Sequence, residues 1–499
     1  MPRYFPDLES FQTLAADADV VPVYRQLLAD HLTPVSAFEV LGRDANAFLL
    51  ESVVGGEKVG RYSFIAAAPA ALYNVVHGQA TIVRHGQPSQ SIATTDPLAD
   101  LAKLLPTRRY ARVPGLPPFT GGLVGYAGYD LARYYESEKL GTSPKDDRGL
   151  PDALFGLYNE LVIFDHVDKT LKVVANAFVD SGAQDAAASY ADACRRVDRI
   201  VQLLKQPPAS KISEFDPSTP LTMPFTPNLS KEQYESGVRK GIEYIKAGDI
   251  FQFVPSMRLR VNCTANPFDV YRALRLINPS PYMFYLKTPL CTLIGSSPEV
   301  LVSVHDRKVT TRPLAGTRRR GKTDAEDKAL EAELLADPKE RAEHIMLVDL
   351  HRNDIGRVCE IGSVKVDECM VIERYSHVMH ISSNVTGTLD KQYTAYDALR
   401  VSLPVGTVSG APKIRAMQII DEVEPTRRGP YGGAVGYVDF AGNTDTCIAL
   451  RTIVYRNGQF DVQAGAGVVA DSVPSSEYEE SLNKAMALLK SVEIASKGF

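Results

Sequence analysis

The stretch GAVGYVDFAGNTDTCIALRTIVYRNGQFDVQAG, Gly433 to Gly465, decides the fold class. Its runs AVGYVD, TDTCIALRTIVYR and QFDVQA are rich in apolar and β-branched residues and are divided by the short turns FAGN and NG. Strands joined directly by turns pair antiparallel, because a parallel neighbour needs a crossover of a dozen or more residues. The pattern repeats upstream in PYMFYL/TLIGSS (281–297) and VLVSVHDRKVTTRPL (300–314), with helical stretches near 324–355, 411–423 and 475–496. Strand–turn–strand runs interrupted by helices predict an α+β chain with large antiparallel sheets flanked by helices, not a wound βαβ sheet.

Working outward, AFLLES (47–52), GRYSFI (60–65), ALYNVV (71–76) and ATIVRHG (80–86) read as short strands. ELVIFDHVDKTLKVVANA (160–177) reads as a hairpin turning near Asp168-Lys169, and a helix is expected near 185–206. Six prolines fall between Pro207 and Pro227 in a Ser/Thr-rich segment that no regular element can traverse. The expected division is an N-terminal unit over 1–206, a linker or crossover over 207–229, and a second unit over 230–499. Ser230 and Gln233 form a capping box for a helix whose Tyr234, Val238, Ile242 and Ile245 share one face and which Gly248 can close.

With 55 Lys+Arg against 60 Asp+Glu in 499 residues, the formal charge of −5 argues against a nucleic-acid or membrane-surface protein. No run approaches the roughly 18 apolar residues of a membrane span. The first residues show neither a signal core nor a transit-peptide composition, so a cytoplasmic location is expected. Six cysteines without C-x-x-C spacing suit reduced thiols and exclude a thiolate zinc site, so any metal should have oxygen ligands.

Two helical glutamate pairs, Glu340/Glu343 and Glu477/Glu480, each have i,i+3 spacing and so point one way. Spacing leaves two readings open: solvated surface, the commoner case, or carboxylate ligands for Mg²⁺. Gly465-Ala466-Gly467 satisfies a degenerate dinucleotide fingerprint but lacks the βαβ context, since Asp471, Ser472 and Pro474 intervene before any helix. Its bare amides either turn the chain or cradle an anion. Gly406 to Lys413 is no phosphate loop, for its lysine is misplaced and no Ser or Thr follows it. His380 lies in a half-apolar strand pattern where a buried structural role is the default. Glu299, between a turn and an apolar strand, is either a surface turn residue or a carboxyl whose desolvation fits it for proton donation.

Taken together, LLES (49–52), GRYSF (60–64), DIFQFVPS (249–256), NPSPYMFY (278–285), GSSPE (295–299), PLAGTRRRG (313–321), KERAEHIMLVDLHRND (339–354), VMHISSNVTG (378–387), PVGTVSGAPKIRAM (404–417), YGGAVGY (431–437), LRT (450–452), GAGVVADS (465–472) and EYEESLNKA (477–485) resemble the chorismate-utilising enzymes, and within them the large synthase subunits that make anthranilate. The resemblance implies a two-layer antiparallel β-sandwich with flanking helices and a cleft active site. It implies Mg²⁺ on Glu343 and Glu480 with Glu340 and Glu477 behind them, and Glu299 as the acid that protonates the departing C4 hydroxyl. Arg451 and Tyr431 would clamp the enolpyruvyl carboxylate. The amides of Gly465, Ala466 and Gly467, Lys484 and the Gly316-Thr317 backbone would complete anion binding. His380 would assist pyruvate loss and Thr407 would orient ammonia.

By the same resemblance, Gln252 stands where water-adding relatives carry a basic lysine, and Ala315 stands where aminodeoxychorismate synthases carry a nucleophilic one. Both favour direct amination, with aminodeoxychorismate synthase component I as the alternative. Leu314 in place of the usual Ile is a minor departure. Glu51, Ser52, Pro281, Tyr282 and Met283 match a tryptophan feedback pocket, and a catalytically silent tryptophan-binding regulator is the rival of a different class. No cysteine lies in a glycine-flanked nucleophile turn, so ammonia is expected from a separate glutaminase subunit or from solution.

Overall fold

The computed structural model describes the chain except residues 1–2, 44–45, 54–59, 180–185, 210–213, 219, 376–377 and 499. The Gly433–Gly465 stretch forms strands Ala434–Asp439, Thr444–Ile448, Thr452–Arg456 and Gln459–Gly465. The last two are joined by Asn457-Gly458 with both φ positive, the two-residue turn whose twist matches that of paired strands. The Asp168-Lys169 hairpin joins Glu160–Asp165 to Thr170–Phe178, antiparallel throughout.

Two sheets result, of eleven and twelve strands, and each takes strands from both sides of the 207–229 segment. In the first, strands from residues 20–67 and 160–178 run beside 282–297, 452–465 and 256–262; in the second, 71–93 and 122–158 run beside 434–448, 300–319 and 365–388. The pivotal joint of the first sheet is strand Tyr282–Lys287, hydrogen-bonded to Ala47–Glu51 on one side and Thr292–Ser297 on the other.

The inner faces pack on each other through Phe48, Ile163, Phe284 and Leu293 from the first sheet against Tyr126, Leu154, Val435 and Cys447 from the second. Alternation explains this: in each strand every second side chain joins the shared core. The outer face of the first sheet is covered by helices Ala186–Leu204, Lys231–Ala247, Pro267–Ile277 and Pro474–Lys497, and that of the second by helices including Pro338–Gly356 and Ala395–Ser402. The fold is therefore α+β, a helix-clad antiparallel sandwich.

Local chemistry sets the boundaries. Ser230 and Gln233 cap Lys231–Ala247 reciprocally, and Gly248 ends it in the left-handed conformation. The helical stretch expected over 324–355 is two helices, Asp324–Ala336 and Pro338–Gly356, because Pro338 cannot donate into a preceding turn and Asp337 instead caps the new helix through the amides of Lys339 and Glu340. Among its described residues the 207–229 segment holds one two-residue edge strand, Thr226–Pro227, and it is pinned by Glu493, which accepts from the Thr222 and Met223 amides at 2.8 and 2.6 Å. None of the six cysteines is in a disulfide. Among the described residues no helix is long and apolar enough to cross a membrane.

Candidate active site

Helix Pro338–Gly356, helix Pro474–Lys497, the strand ends at Glu299, Ala315 and Gly465, and the 3₁₀ turn Gly406–Val408 enclose one cavity of about 570 Å³. It is lined by Gln252, Glu299, Gly316, Thr317, Glu340, Glu343, His380, Thr407, Tyr431, Arg451, Gly465, Gly467, Glu477, Glu480 and Lys484. It opens beside a vestibule of about 710 Å³ with which it shares His380, Arg451, Glu480 and Lys484. Of the residues expected around the substrate, Ala466 alone is absent from the lining: its methyl is fully buried.

Glu299 is 3 % exposed, and burial pushes its carboxyl up to about 8, against the opposing hydrogen bond from Thr407. The Thr407 hydroxyl donates to Oε1 at 3.0 Å, and the Leu314 amide points at the same oxygen at 3.5 Å. Oε1 being the acceptor, the proton of the neutral acid resides on Oε2. The surface-turn reading of Glu299 fails because its carboxyl is buried against Thr407 and Leu314.

His380 lies in strand Val378–Thr388, and burial lowers its pKa, keeping the ring neutral near pH 7. Its Nδ1 is 2.8 Å from the Gly316 carbonyl, which can only accept, so Nδ1 carries the hydrogen and Nε2 keeps its lone pair. The Tyr375 ring stands edge-on to the imidazole at 5.5 Å. Arg451 sits at φ +47°, in the left-handed region, within the turn between strands Thr444–Ile448 and Thr452–Arg456. Such backbone costs about 1–3 kcal/mol and persists where the surroundings impose it. Among the described residues no carboxylate pairs with Arg451, whose pKa burial lowers; a part-buried guanidinium without a counter-ion is poised for an anion.

The glutamate pairs converge from two helices. Burial raises the pKa of Glu343, with repulsion from Glu340 adding to it, and burial then Glu480 act likewise on Glu477. Arg318 holds Glu340 at 3.2 Å, and Lys484 reaches Glu480 at 2.8 Å and the Gly465 carbonyl at 3.2 Å. Among the described residues no three acidic, histidine or cysteine side chains are gathered to hold a metal ion unaided. The donors lining the cavity from the two glutamate pairs are all oxygens, which suits a hard cation that takes one or two carboxylates and completes its shell from substrate and water. Gln252 Nε2 donates to Glu343 at 3.0 Å, while its buried Oε1 has no hydrogen-bond partner among the described residues. Gly316, at φ +62°, lies in the left-handed region that favours glycine, and a Cβ there would lie 2.9 Å from Leu334 Cδ1 and 3.0 Å from Glu340 Oε2; one on Gly467 would lie 2.7 Å from Gln252 Nε2, whose side chain would have to shift.

Lys339, Tyr375 and Gln463 are among the polar cavity and vestibule residues that the sequence alone did not single out. Tyr375 lines the vestibule edge-on to His380, and Lys339 lines the cavity beside Glu340. Gln463 lines it as the end of a chain in which Gln463 Nε2 donates to Ser256 Oγ at 2.8 Å and Ser256 to Glu424 at 2.9 Å. The strand alternation of QFDVQAG could have marked Gln463 as inward-facing; nothing local distinguishes Tyr375 or Lys339.

Away from the cavity, strand register sets Glu51 opposite Met283, and the Val53 amide donates to the Ser280 carbonyl. Glu51 is saturated by Tyr271 and Arg275, Tyr282 donates to Asp445 at 3.2 Å, and Met283 is buried. The Glu51-Ser52 and Pro281–Met283 segments therefore adjoin across two paired strands.

The profile of the chorismate binding enzymes matches residues 46–490. Anthranilate synthase component 1 of Acetivibrio thermocellus is 47 % identical over 494 residues, covering 99 % of each chain, and that of Pseudomonas aeruginosa is 47 % identical over 492 residues, covering 98 % of this chain and 99 % of its own. The crystal structure of anthranilate synthase component I from Streptococcus pneumoniae superposes with a TM-score of 0.75 at 38 % identity, over 93 % of this chain and 98 % of that one. The menaquinone-specific isochorismate synthase of Escherichia coli, at 18 % identity and TM-score 0.68 over 97 % of this chain and 98 % of its own, shares the fold. On cavity, sandwich and sequence alike, the chain belongs to the chorismate-binding enzymes, in their anthranilate synthase component I branch.

Proposed function

We propose that the chain is a synthase that joins chorismate and ammonia to give anthranilate, pyruvate and water, the first committed step toward tryptophan. The observation that carries this reading is Glu299: a buried carboxyl, protonated at neutral pH, in one cavity with an uncompensated arginine and two opposed glutamate pairs. Hydroxide is a poor leaving group, so the C4 hydroxyl must be protonated as it departs, and a carboxyl with pKa near the working pH does this best.

Arg451 and Tyr431 bind the enolpyruvyl carboxylate, and Lys484 with the Gly465–Gly467 and Gly316–Thr317 backbone holds the remaining anionic charge. Glu343 and Glu480 would hold Mg²⁺, with Glu340 and Glu477 behind them; when bound, the cation fixes positive charge at the ring carboxylate. Thr407 orients ammonia for attack at C2 while Glu299 Oε2 gives its proton to the leaving hydroxyl. His380, neutral with its lone pair on Nε2, is suited to take up a proton as the ring aromatises and pyruvate leaves. Ammonia is already a nucleophile, so the amide of Gln252, which cannot act as a base, suffices where water attack would need one. Ala315 offers no nucleophilic atom for a lysine-type covalent route to aminodeoxychorismate.

A separate glutaminase component supplies the ammonia, and tryptophan binding at the Ser52 and Pro281–Met283 segments inhibits turnover. Their strand, Tyr282–Lys287, is a direct neighbour of Thr292–Ser297, which runs into Glu299. Six unpaired thiols suit a reducing cytoplasm. The test is chromatography of the products from chorismate, Mg²⁺ and ammonium. Anthranilate and pyruvate are expected, with nothing from glutamine alone; 4-amino-4-deoxychorismate or isochorismate would overturn the assignment.

A further inference from the structure

Arg428 is 2 % exposed and is not part of the cavity lining, yet its guanidinium is hydrogen-bonded to chain segments that form the cavity walls. Nη1 donates to the Val408 carbonyl and Nη2 to the Val254 carbonyl, each at 2.6 Å, and Nε donates to Glu424 Oε2 at 3.0 Å. Its Cζ is 5.5 Å from the centroid of the Tyr431 ring and 4.6 Å from that of Tyr129. Val254, Val408 and Tyr431 line the cavity, and Val408 ends the 3₁₀ turn that carries Thr407. The loop that brings Arg428 here is braced from the other side of the 207–229 segment. The Tyr129 amide donates to the Gly429 carbonyl at 2.8 Å, and the Gly429 amide donates to Asp130 at 3.1 Å.

A buried ion pair is a weak source of stability, because apolar side chains of similar volume often pack as well. What the Arg428–Glu424 pair adds is direction. A guanidinium is a planar fork of five donors, so the two carbonyls it holds are fixed relative to each other as well as to the arginine. A lysine would supply the charge without that fork. The attraction of a cation for an aromatic ring ties Tyr431 to the same point. Burial pushes the Tyr431 phenol up to about 12 against the opposing pull of the Arg428 charge, so the phenol keeps its hydrogen and remains a donor for a carboxylate. One buried cation thus meets both the residue read as the carboxylate clamp and the turn that carries Thr407, which holds Glu299.

We propose that Arg428 is a positioning residue that holds the Tyr431 phenol and the Thr407 turn in one fixed relation, so that the substrate carboxylate and ammonia are presented to the same ring in register. The inference rests on the reading above, in which Tyr431 binds a carboxylate of chorismate and Thr407 orients ammonia. Arg428→Met combined with Glu424→Gln removes both charges, leaves no ion unpaired and keeps an acceptor for the Ser256 amide, 2.7 Å from Glu424. In reactions of chorismate, Mg²⁺ and ammonium, this pair variant is expected to raise KM at least fivefold for chorismate and for ammonium alike. Double-mutant cycles then separate positioning from general loosening of the fold. In a Tyr431→Phe background the rise in chorismate KM should shrink below twofold, and in a Thr407→Val background the rise in ammonium KM should do the same. In a Lys484→Met background both rises should persist in full. Equal rises in all three backgrounds, or none in the wild-type background, would reduce Arg428 to a structural residue and overturn the proposal. Should the pair variant not fold, Tyr129→Leu leaves the ion pair intact and alters only the ring beside it. It is expected to raise both KM values at least twofold, with the same losses of effect in the same backgrounds, and unchanged KM values would again overturn the proposal. Failure of wild type to turn over chorismate with ammonium would instead overturn the underlying function, so the two failures are distinguishable.

Discussion

Replacing Glu299 by Gln removes one proton and almost no volume from the centre of the site, and its consequences divide into two measurable parts. The first is catalytic. With its pKa near 8, Glu299 is in the acid form through neutral pH and ionises above it. General acid catalysis contributes about 10²- to 10⁴-fold, so Glu299→Gln should lower ammonium-dependent kcat by that factor, about 3–5 kcal/mol of barrier, with a smaller change in KM. The wild-type rate should bend downward above pH 8 as the acid is lost, even though free ammonia is increasing; the residual rate of the variant should lack that bend. The second part is stability, and its sign is opposite. A carboxyl whose folded-state pKa is raised from 4.5 to about 8 stabilises the fold fully below 4.5, and that contribution is lost as pH rises to 8. The burden above pH 8 is on the order of 5 kcal/mol relative to a neutral side chain. Glu299→Gln should therefore melt increasingly above wild type as the pH is raised from 5 to 9. Anthranilate fluorescence gives the rates and circular dichroism the melting curves. A variant with wild-type kcat, or one whose stability advantage fails to grow with pH, would show that Glu299 is not the buried acid described here.

Three further outcomes follow from the same structure. Excess EDTA should abolish ammonia-dependent turnover reversibly, and Glu343→Gln or Glu480→Gln should reduce it by at least a hundredfold at fixed Mg²⁺, because a neutral amide is a weak ligand for a hard cation; full activity in EDTA would refute the assignment. Ser52→Ala should raise the tryptophan concentration for half-inhibition by about tenfold, roughly the 1.4 kcal/mol of one hydrogen bond, with uninhibited kcat unchanged; since the chain contains no Trp, indole emission from a purified sample would itself report bound effector. His351 is buried and its pKa is lowered to about 3 by burial. Its neutral form thus contributes stability that is complete above pH 6.5 and declines as pH falls toward 3, so urea midpoints should drop across that range, and His351→Gln should flatten the decline.

Much was legible in the chain because the relevant physics is local. Alternating apolar runs divided by turns specify antiparallel strands, and the Ser230/Gln233 capping box and Gly248 specify where one helix begins and ends. The i,i+3 spacing of Glu340/Glu343 and Glu477/Glu480 puts each pair on one face, whatever that face meets. Resemblance over thirteen motifs then pointed to the family that the full-length relatives show. What tertiary structure alone decided is everything that depends on distant residues meeting. Whether the glutamate pairs are solvated or face a cavity depends on two helices more than a hundred residues apart, and whether Glu299 is a surface turn or a buried acid depends on Thr407 and Leu314 closing over it. The tautomer of His380 is set by the Gly316 carbonyl, 64 residues away in sequence, and the orientation of the Gln252 amide by Glu343, 91 residues away. The positive φ of Arg451 is invisible in a Leu-Arg-Thr triplet, because strain appears only when the strands on either side are held in place. Local sequence writes periodicity, caps and turn chemistry, whereas desolvation and pKa depend on how the whole chain excludes water around a group.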